Sequence, residues 1–311
     1  MDIAPLHYDL QGLPDGGEAY WRKCADNTRI RVALWRGEGA ETVLIFPGRT
    51  EYIEKYGPAA REFVARGYSV AIIDWRGQGL SDRHATRPQM GWVKDFSDYQ
   101  QDIDAMLATV VEAGLPKPTV LLSHSMGGAI GLRALLNRLD VEKAIFSAPM
   151  WGIYVEPKLR IVASLVSRFC RVLGMGARYV PSSGPTNYVE KQKFEGNVLT
   201  NDADTYKWLQ THLSKHPDLG LGGPSCQWYN RAVCECAELR KDAPAPHEAL
   251  VFLGTQEAIV DSGSIKDIMA EWSNGKLVIV EDAQHEILME KPAILKQFWQ
   301  EVDQFIGPAK S

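Results

Sequence analysis

Short apolar runs alternate with segments of helical period along most of this 311-residue chain, and that alternation constrains its fold more than any other feature. The runs RIRVALWR (29–36), TVLIF (42–46), SVAIID (69–74), TVLLS (119–123), KAIFSA (143–148), ALVFLG (249–254) and KLVIVE (276–281) read as strands. Most are apolar throughout, as strands covered on both faces are. Helical periodicity places helices at 52–66, 95–113, 126–138, 263–273 and 291–306. The expected inward stripe is Tyr56, Ala59, Ala60, Phe63 and Val64 in the first, and Ile103, Met106, Leu107, Val110 and Val111 in the second. Such alternation specifies an α/β chain with a mostly parallel central sheet and helices on both faces. The rhythm breaks between residues 150 and 240, where Gly, Pro, Trp and Tyr gather. We read 150–240 as a cap inserted between two strands, with 1–149 and 241–311 forming the core. Sites in open α/β sheets lie at the carboxyl ends of strands, so this cap is expected to cover the site.

One turn carries chemistry. Ser123-His124-Ser125-Met126-Gly127-Gly128 directly follows one expected strand and directly opens a helix. A nucleophile displayed on a sharp strand-to-helix turn needs small neighbours, because the backbone there is strained and crowded; Gly127 and Gly128 meet that need. The first position of the Gly-x-Ser-x-Gly pattern is here Ser123, small but not glycine. Ser125 is the candidate nucleophile, and a helix-capping serine is the plainer alternative. The helix N-terminus favours negative charge at its oxygen, and the N–H of Met126 is a candidate oxyanion donor.

A seryl hydroxyl needs a base, and the base needs an orienting acid; after a nucleophile elbow the chain order is acid, then His. Of seven histidines only His285 lies beyond the strand 249–254. The acid is expected in the loop after that strand, where Glu257 and Asp261 both stand. Glu257 is nearer the strand end, whereas Asp261 could instead cap the following helix. The second oxyanion donor is expected from the loop after 42–46, at the N–H of Arg49, with Gly48 allowing close approach. His124 reads as structural.

Composition excludes several other functions. With 34 Lys and Arg against 39 Asp and Glu, the net charge of −5 disfavours nucleic acid as a partner. Hydrophobic residues at 45% and charged residues at 23% exclude a disordered or fibrous chain. Five cysteines, an odd number, suggest reduced, buried thiols, and the spacing of Cys226, Cys234 and Cys236 fits no zinc pattern. No phosphate-binding glycine loop or metal set stands out, so neither cofactor nor metal is expected. The start MDIAPLHYDLQG has no basic cluster or apolar run, and no stretch matches the roughly 18 residues of a membrane span. The expectation is a soluble, cytoplasmic protein of unspecified oligomeric state.

The residues also resemble a known family, the α/β-hydrolase group of monoacylglycerol lipases and bacterial lysophospholipases of the L2 type. The resemblance runs over nearly the whole chain. It rests on FPGRTEYIEKYG (46–57), DWRGQGLSDR (74–83), SHSMGG (123–128), SAPMWG (147–152), GTQEAIVD (254–261) and AQHEIL (283–288). It implies the α/β-hydrolase fold with an inserted, mainly helical cap, and a serine hydrolase without cofactor. It implies Ser125 as nucleophile, His285 as base, Glu257 as acid, and the N–H groups of Arg49 and Met126 as oxyanion donors. Monoacylglycerol lipases carry His-Gly where this chain has Pro47-Gly48, which leans towards the lysophospholipases. The implied reaction is hydrolysis of a single-acyl lipid ester through an acyl-enzyme. A capped serine aminopeptidase and a short-chain carboxylesterase are the alternatives. Asp74 and Arg76 look structural.

Within the cap, KLRIVASLVSRFCRVL (158–173) reads as an amphipathic helix with Arg160, Arg168 and Arg171 on one face and Ile161, Leu165 and Phe169 on the other. Residues 151–240 hold 11 Lys and Arg against 8 Asp and Glu, a balance of +3 that leaves −8 for the rest. A basic, apolar lid suits an amphiphilic ester and implies peripheral contact with an anionic membrane, beside the plainer reading of a helix packed on the body. Trp151, Tyr154 and Trp228, with Trp208 and Tyr229, are candidate acyl-groove residues; the same aromatics could equally form the cap's own core.

Overall fold

The computed structural model describes residues 1–156, 176–181 and 183–310. Its strands are β1 (Asp2–Ala4), β2 (Glu18–Lys23), β3 (Arg29–Trp35), β4 (Thr42–Phe46), β5 (Ser69–Asp74), β6 (Pro118–His124), β7 (Lys143–Ser147), β8 (Glu248–Gly254) and β9 (Gly275–Val280). They form one sheet in the order β1-β2-β3-β5-β4-β6-β7-β8-β9. Pairing is antiparallel from β1 through β3 to β5 and parallel from there to β9. The seven apolar runs appear as strands within a residue or two of their expected limits. Strands β1 and β2 were not foreseen. In β2 only Ala19 is buried, so a ribbon near the sheet edge, held by its backbone to β3, leaves little apolar signal.

Among the described residues, the helices are α1 (Gly57–Ala65), α2 (Asp98–Glu112), α3 (Met126–Leu136), α4 (Ala203–Lys215), α5 (Cys226–Asp242), α6 (Ser262–Glu271) and α7 (Pro292–Ile306), with a single turn at Tyr188–Lys191. One sheet face packs on Ala60 and Phe63 of α1 and Phe298 and Val302 of α7. The other packs on α2, α3, α5 and α6 through Met106, Ile130, Trp228 and Ile265. The stripe expected for α2 needs one correction. Val111 is exposed, whereas Asp102 and Thr109 face inward. Asp102 turns in because it accepts hydrogen bonds from the Arg76 backbone at 3.0 Å and side chain at 2.8 Å, and that rotates the buried face away from Val111.

Between β7 and β8 the chain leaves the sheet. Helix α5 packs on α3, and Arg133 of α3 bonds Glu235 at 2.6 Å and Asp242 at 2.9 Å. It continues past residue 240 to Asp242. Helix α4 belongs to a separate apolar cluster with Leu10, Tyr52, Val189, Leu199 and Leu219. The amphipathic pattern at 158–173 lies outside the described residues. Among the described residues, no helix is long and apolar enough to cross a membrane.

The sheet order fixes where a site can form. From β4 the chain goes to β5 on one side, and from its other sheet neighbour β6 it goes to β7 on the opposite side, so the loops leaving the carboxyl ends of β4 and β6 diverge and open a crevice. Phe46 and Ser123 are register partners at that point.

Candidate active site

Ser125 sits in the crevice at the N-cap of α3, with φ 49° and ψ −117°, a left-handed backbone that non-glycine residues seldom adopt. The turn is over-determined by its neighbours. The Ser125 N–H donates to the Ser147 carbonyl at 3.1 Å, and the Ser125 carbonyl accepts from Gly128 and Met150 N–H, each at 2.8 Å. A side chain at 127 would collide with the Phe46 carbonyl, and one at 128 would come within 2.6 Å of Pro149. The serine at position 123 is accommodated because α3 presents Gly131 opposite it, where a Cβ would lie 3.2 Å from the Ser123 hydroxyl.

Two loops from strand ends bring in the partners. His285 follows β9 and Glu257 follows β8, and the loops are tied by Gln256 N–H to Ala283 O at 3.0 Å and Thr255 N–H to Val280 O at 3.0 Å. The His285 Nε2 lies 2.9 Å from Ser125 Oγ, and its Nδ1 lies 2.7 Å from Glu257 Oε2. The other Glu257 oxygen accepts from Ile259 N–H at 2.6 Å and Val260 N–H at 3.0 Å, which aims the carboxylate. Burial disfavours the charged imidazole, but Glu257, with Glu286 and Glu51 behind it, outweighs burial and holds the His285 pKa above its ordinary value. Burial likewise pushes Glu257 up, and His285 with the backbone donors brings it net below the usual carboxylate range. Asp261, the alternative acid, is elsewhere: it caps α6, accepting from Ser264 Oγ at 2.8 Å and Gly263 N–H at 3.3 Å. Its short side chain is thus spent on the helix start.

Among the described residues, neither the Arg49 nor the Met126 backbone N–H has a protein acceptor; Met126 follows Ser125 directly, and Arg49 lines the same cavity as Ser125. The loop carrying Arg49 is held by a buried charge cluster that sequence reasoning missed. Glu51 accepts from the Gly48 N–H, from Tyr56 Oη at 2.6 Å and from Lys55 Nζ at 2.7 Å. Lys55 also bonds Glu286, next to His285, at 2.7 Å. Burial opposes ionisation of Glu51, yet Lys55 and His124 hold it down to about 2. The spacing of Glu51 and Lys55, four residues apart, was the available signal. Burial lowers the His124 pKa to about 4, keeping it neutral, and its Nδ1 donates to the Ser147 carbonyl at 2.9 Å.

A cavity of about 740 Å³ opens over Ser125 and His285, a volume suited to a drug-sized ligand. Trp228 and Tyr229 line it, as do Tyr52, Leu209 and Leu213. Three of the expected groove residues do not. Trp151 is fully buried in the main core, its Nε1 donating to Gly128 O at 3.1 Å and its ring stacked on Trp272. Tyr154 is half exposed, on a segment pinned by its N–H to Ile259 O at 3.0 Å. Trp208 is turned away too, bonding Leu10 O at 3.1 Å. Large aromatics look alike in sequence, and only packing separates wall from core. Of the thiols, Cys24 and Cys236 are buried and Cys234 is exposed, contrary to expectation for the last.

The mostly parallel sheet, the serine on a strand-to-helix turn and the helices on both faces define an α/β-hydrolase. More particularly, the chain belongs to the serine aminopeptidase, S33 family, whose model matches residues 37–292; it is a serine hydrolase. It is 29% identical over 267 residues to the probable lysophospholipase L2 of Haemophilus influenzae, covering 85% of this chain and 83% of that one. It is 28% identical over 285 residues to the lysophospholipase L2 of Escherichia coli K12, covering 86% and 81%. A solved monoglyceride lipase from Saccharomyces cerevisiae, a soluble variant in complex with a substrate analogue, superimposes with a TM-score of 0.73 at 18% identity over 99% of this chain and all of that one.

Proposed function

We propose that this protein hydrolyses the ester of a single-acyl lipid, a lysophospholipid or monoacylglycerol, through an acyl-enzyme on Ser125. The observation that carries the reading is the continuous hydrogen-bond path from Ser125 Oγ through His285 to Glu257, at 2.9 and 2.7 Å, on the floor of a largely apolar cavity. His285 Nε2 takes the hydroxyl proton as Ser125 Oγ attacks the acyl carbonyl. The oxygen of the tetrahedral intermediate draws on the N–H groups of Arg49 and Met126. His285 then passes its proton to the departing glycerol oxygen, leaving the acyl group on Ser125. Water, deprotonated by His285, attacks the acyl carbon, and the serine leaves with the proton as fatty acid is released. Glu257 holds the imidazole tautomer and supports its charged form. The names of the bacterial relatives support a lipid ester, and the cavity wall contributed by described residues between Val180 and Tyr229 supports a capped site.

An aminopeptidase reading would need a carboxylate free to meet a substrate ammonium. The cavity carboxylates Glu51 and Glu286 both face Lys55, and Arg49 adds further positive charge. The test is a panel of lysophospholipids, monoacylglycerols, short p-nitrophenyl esters and aminoacyl amides, with fluorophosphonate labelling of the wild type and Ser125→Ala. We expect long-chain lipid esters to dominate and the adduct to vanish in the variant. A preference for aminoacyl amides would overturn the lipid reading, and an adduct surviving Ser125→Ala would overturn the nucleophile.

A further inference from the structure

Arg31, Lys55 and Arg76 are cations buried in this molecule, and each faces at least two carboxylates. Among the described residues, the side chain of Arg49 faces none. Its Nη2 donates to the Gly222 carbonyl at 2.5 Å, and its guanidinium carbon stands 5.2 Å from the centre of the Trp228 ring. Among the described residues, its Nε is buried without an acceptor. Residues outside the described set, 157–175, 182 and 311, contain no Asp or Glu, so no acidic side chain of this chain is left to complete the pair. Gly91 leaves the room the guanidinium occupies: a Cβ there would lie 3.0 Å from Nη2. Burial without a counter-charge is costly enough to lower the Arg49 pKa to about 10. Arg83, also without a carboxylate, differs because several backbone carbonyls surround it.

Arg49 and Trp228 line the same cavity as Ser125. A different stretch of its wall is Tyr52, Val189, Leu199, Leu209 and Leu213, an apolar cluster suited to an acyl chain. We propose that the Arg49 guanidinium, held between Trp228 and the Gly222 carbonyl, is a subsite for the phosphodiester of the substrate head group, so that the site selects phosphate-bearing single-acyl lipids over neutral ones. A planar guanidinium with unused donors matches phosphate geometry, and an arriving anion supplies the counter-charge the fold withholds. This rests on the lipid-ester reading above.

The experiment compares kcat/KM for a lysophosphatidylglycerol and a monoacylglycerol of the same chain, in wild type, Arg49→Gln and Arg49→Lys. The readout is the ratio of the two values, in which any general loss through the Arg49 backbone donor cancels. We expect Arg49→Gln to lower the ratio by about tenfold or more, the scale of one charge-assisted hydrogen bond, and Arg49→Lys to restore part of it. In wild type, glycerol 3-phosphate should slow fluorophosphonate labelling of Ser125 where equal glycerol does not. An unchanged ratio with a lowered melting temperature would make Arg49 a clamp on residues 222–228 and overturn the subsite. Equal protection by inorganic phosphate would overturn the head-group assignment in favour of a free anion. If wild type cleaves neither lipid, the hydrolase reading itself fails; if it cleaves both and Arg49→Gln leaves the ratio unmoved, only the subsite fails.

Discussion

His285 is the residue on which opposing influences meet. Burial favours its neutral form and Glu257 its charged form, and the net pKa lies above the ordinary value. The proposed base works only when neutral, so kcat/KM should rise with pH and level off above an apparent pKa higher than the usual 6.5 or so. Glu257→Gln removes the charge that raises it. The midpoint should then move to lower pH while the plateau falls by roughly 10³–10⁴-fold, and pH–rate profiles of both proteins check this. An unmoved midpoint would mean that Glu257 does not act on the imidazole. Sequence favoured Glu257 and kept Asp261 as the alternative. What separates them is that Ile259 and Val260 N–H groups fold back on the glutamate, whereas Asp261 reaches only the first turn of α6.

At the scale of elements, the strand–turn–helix of β6 and α3 was readable because its demands are local: small residues beside a strained serine. Its tolerance of Ser123 was not readable, since the space comes from Gly131 two turns along α3. Gly127→Ala should be severe. Its Cβ meets the Phe46 carbonyl, part of the β4 backbone, which has nowhere to retreat inside the sheet. We expect a stability loss of about 1–3 kcal/mol and a fall in kcat of about 10²-fold from the displaced Ser125, by urea titration and ester hydrolysis. Near-normal activity would show that the elbow adapts more than this packing implies.

Across the whole molecule, one buried ion cluster ties distant parts together. Arg31 of β3 bonds both oxygens of Glu54, at 2.8 and 2.7 Å, and Asp74 at the end of β5 at 2.8 Å. Asp74 also accepts from Ile53 and Leu80 N–H, each at 2.8 Å, so the loops beside the crevice hang on it. Arg31→Met leaves two buried carboxylates without their cation and should cost about 3–5 kcal/mol, read as a lower urea midpoint; a loss under about 1 kcal/mol would show the cluster to be dispensable. The basic balance of 151–240 gives a second expectation at this scale. Co-sedimentation with vesicles should rise with anionic lipid and fall with added salt. Partitioning indifferent to both would remove the membrane contact.

The order of strands and helices, the parallel sheet and the identity of a displayed serine followed from sequence, because periodicity and local backbone strain are properties of neighbours in the chain. Which aromatic is wall and which is core, why α2 turns Val111 outward, and that Arg49 has no acidic partner were decided by tertiary structure. Each depends on groups tens to hundreds of residues apart competing for the same space or the same charge, and no local pattern records the outcome of that competition.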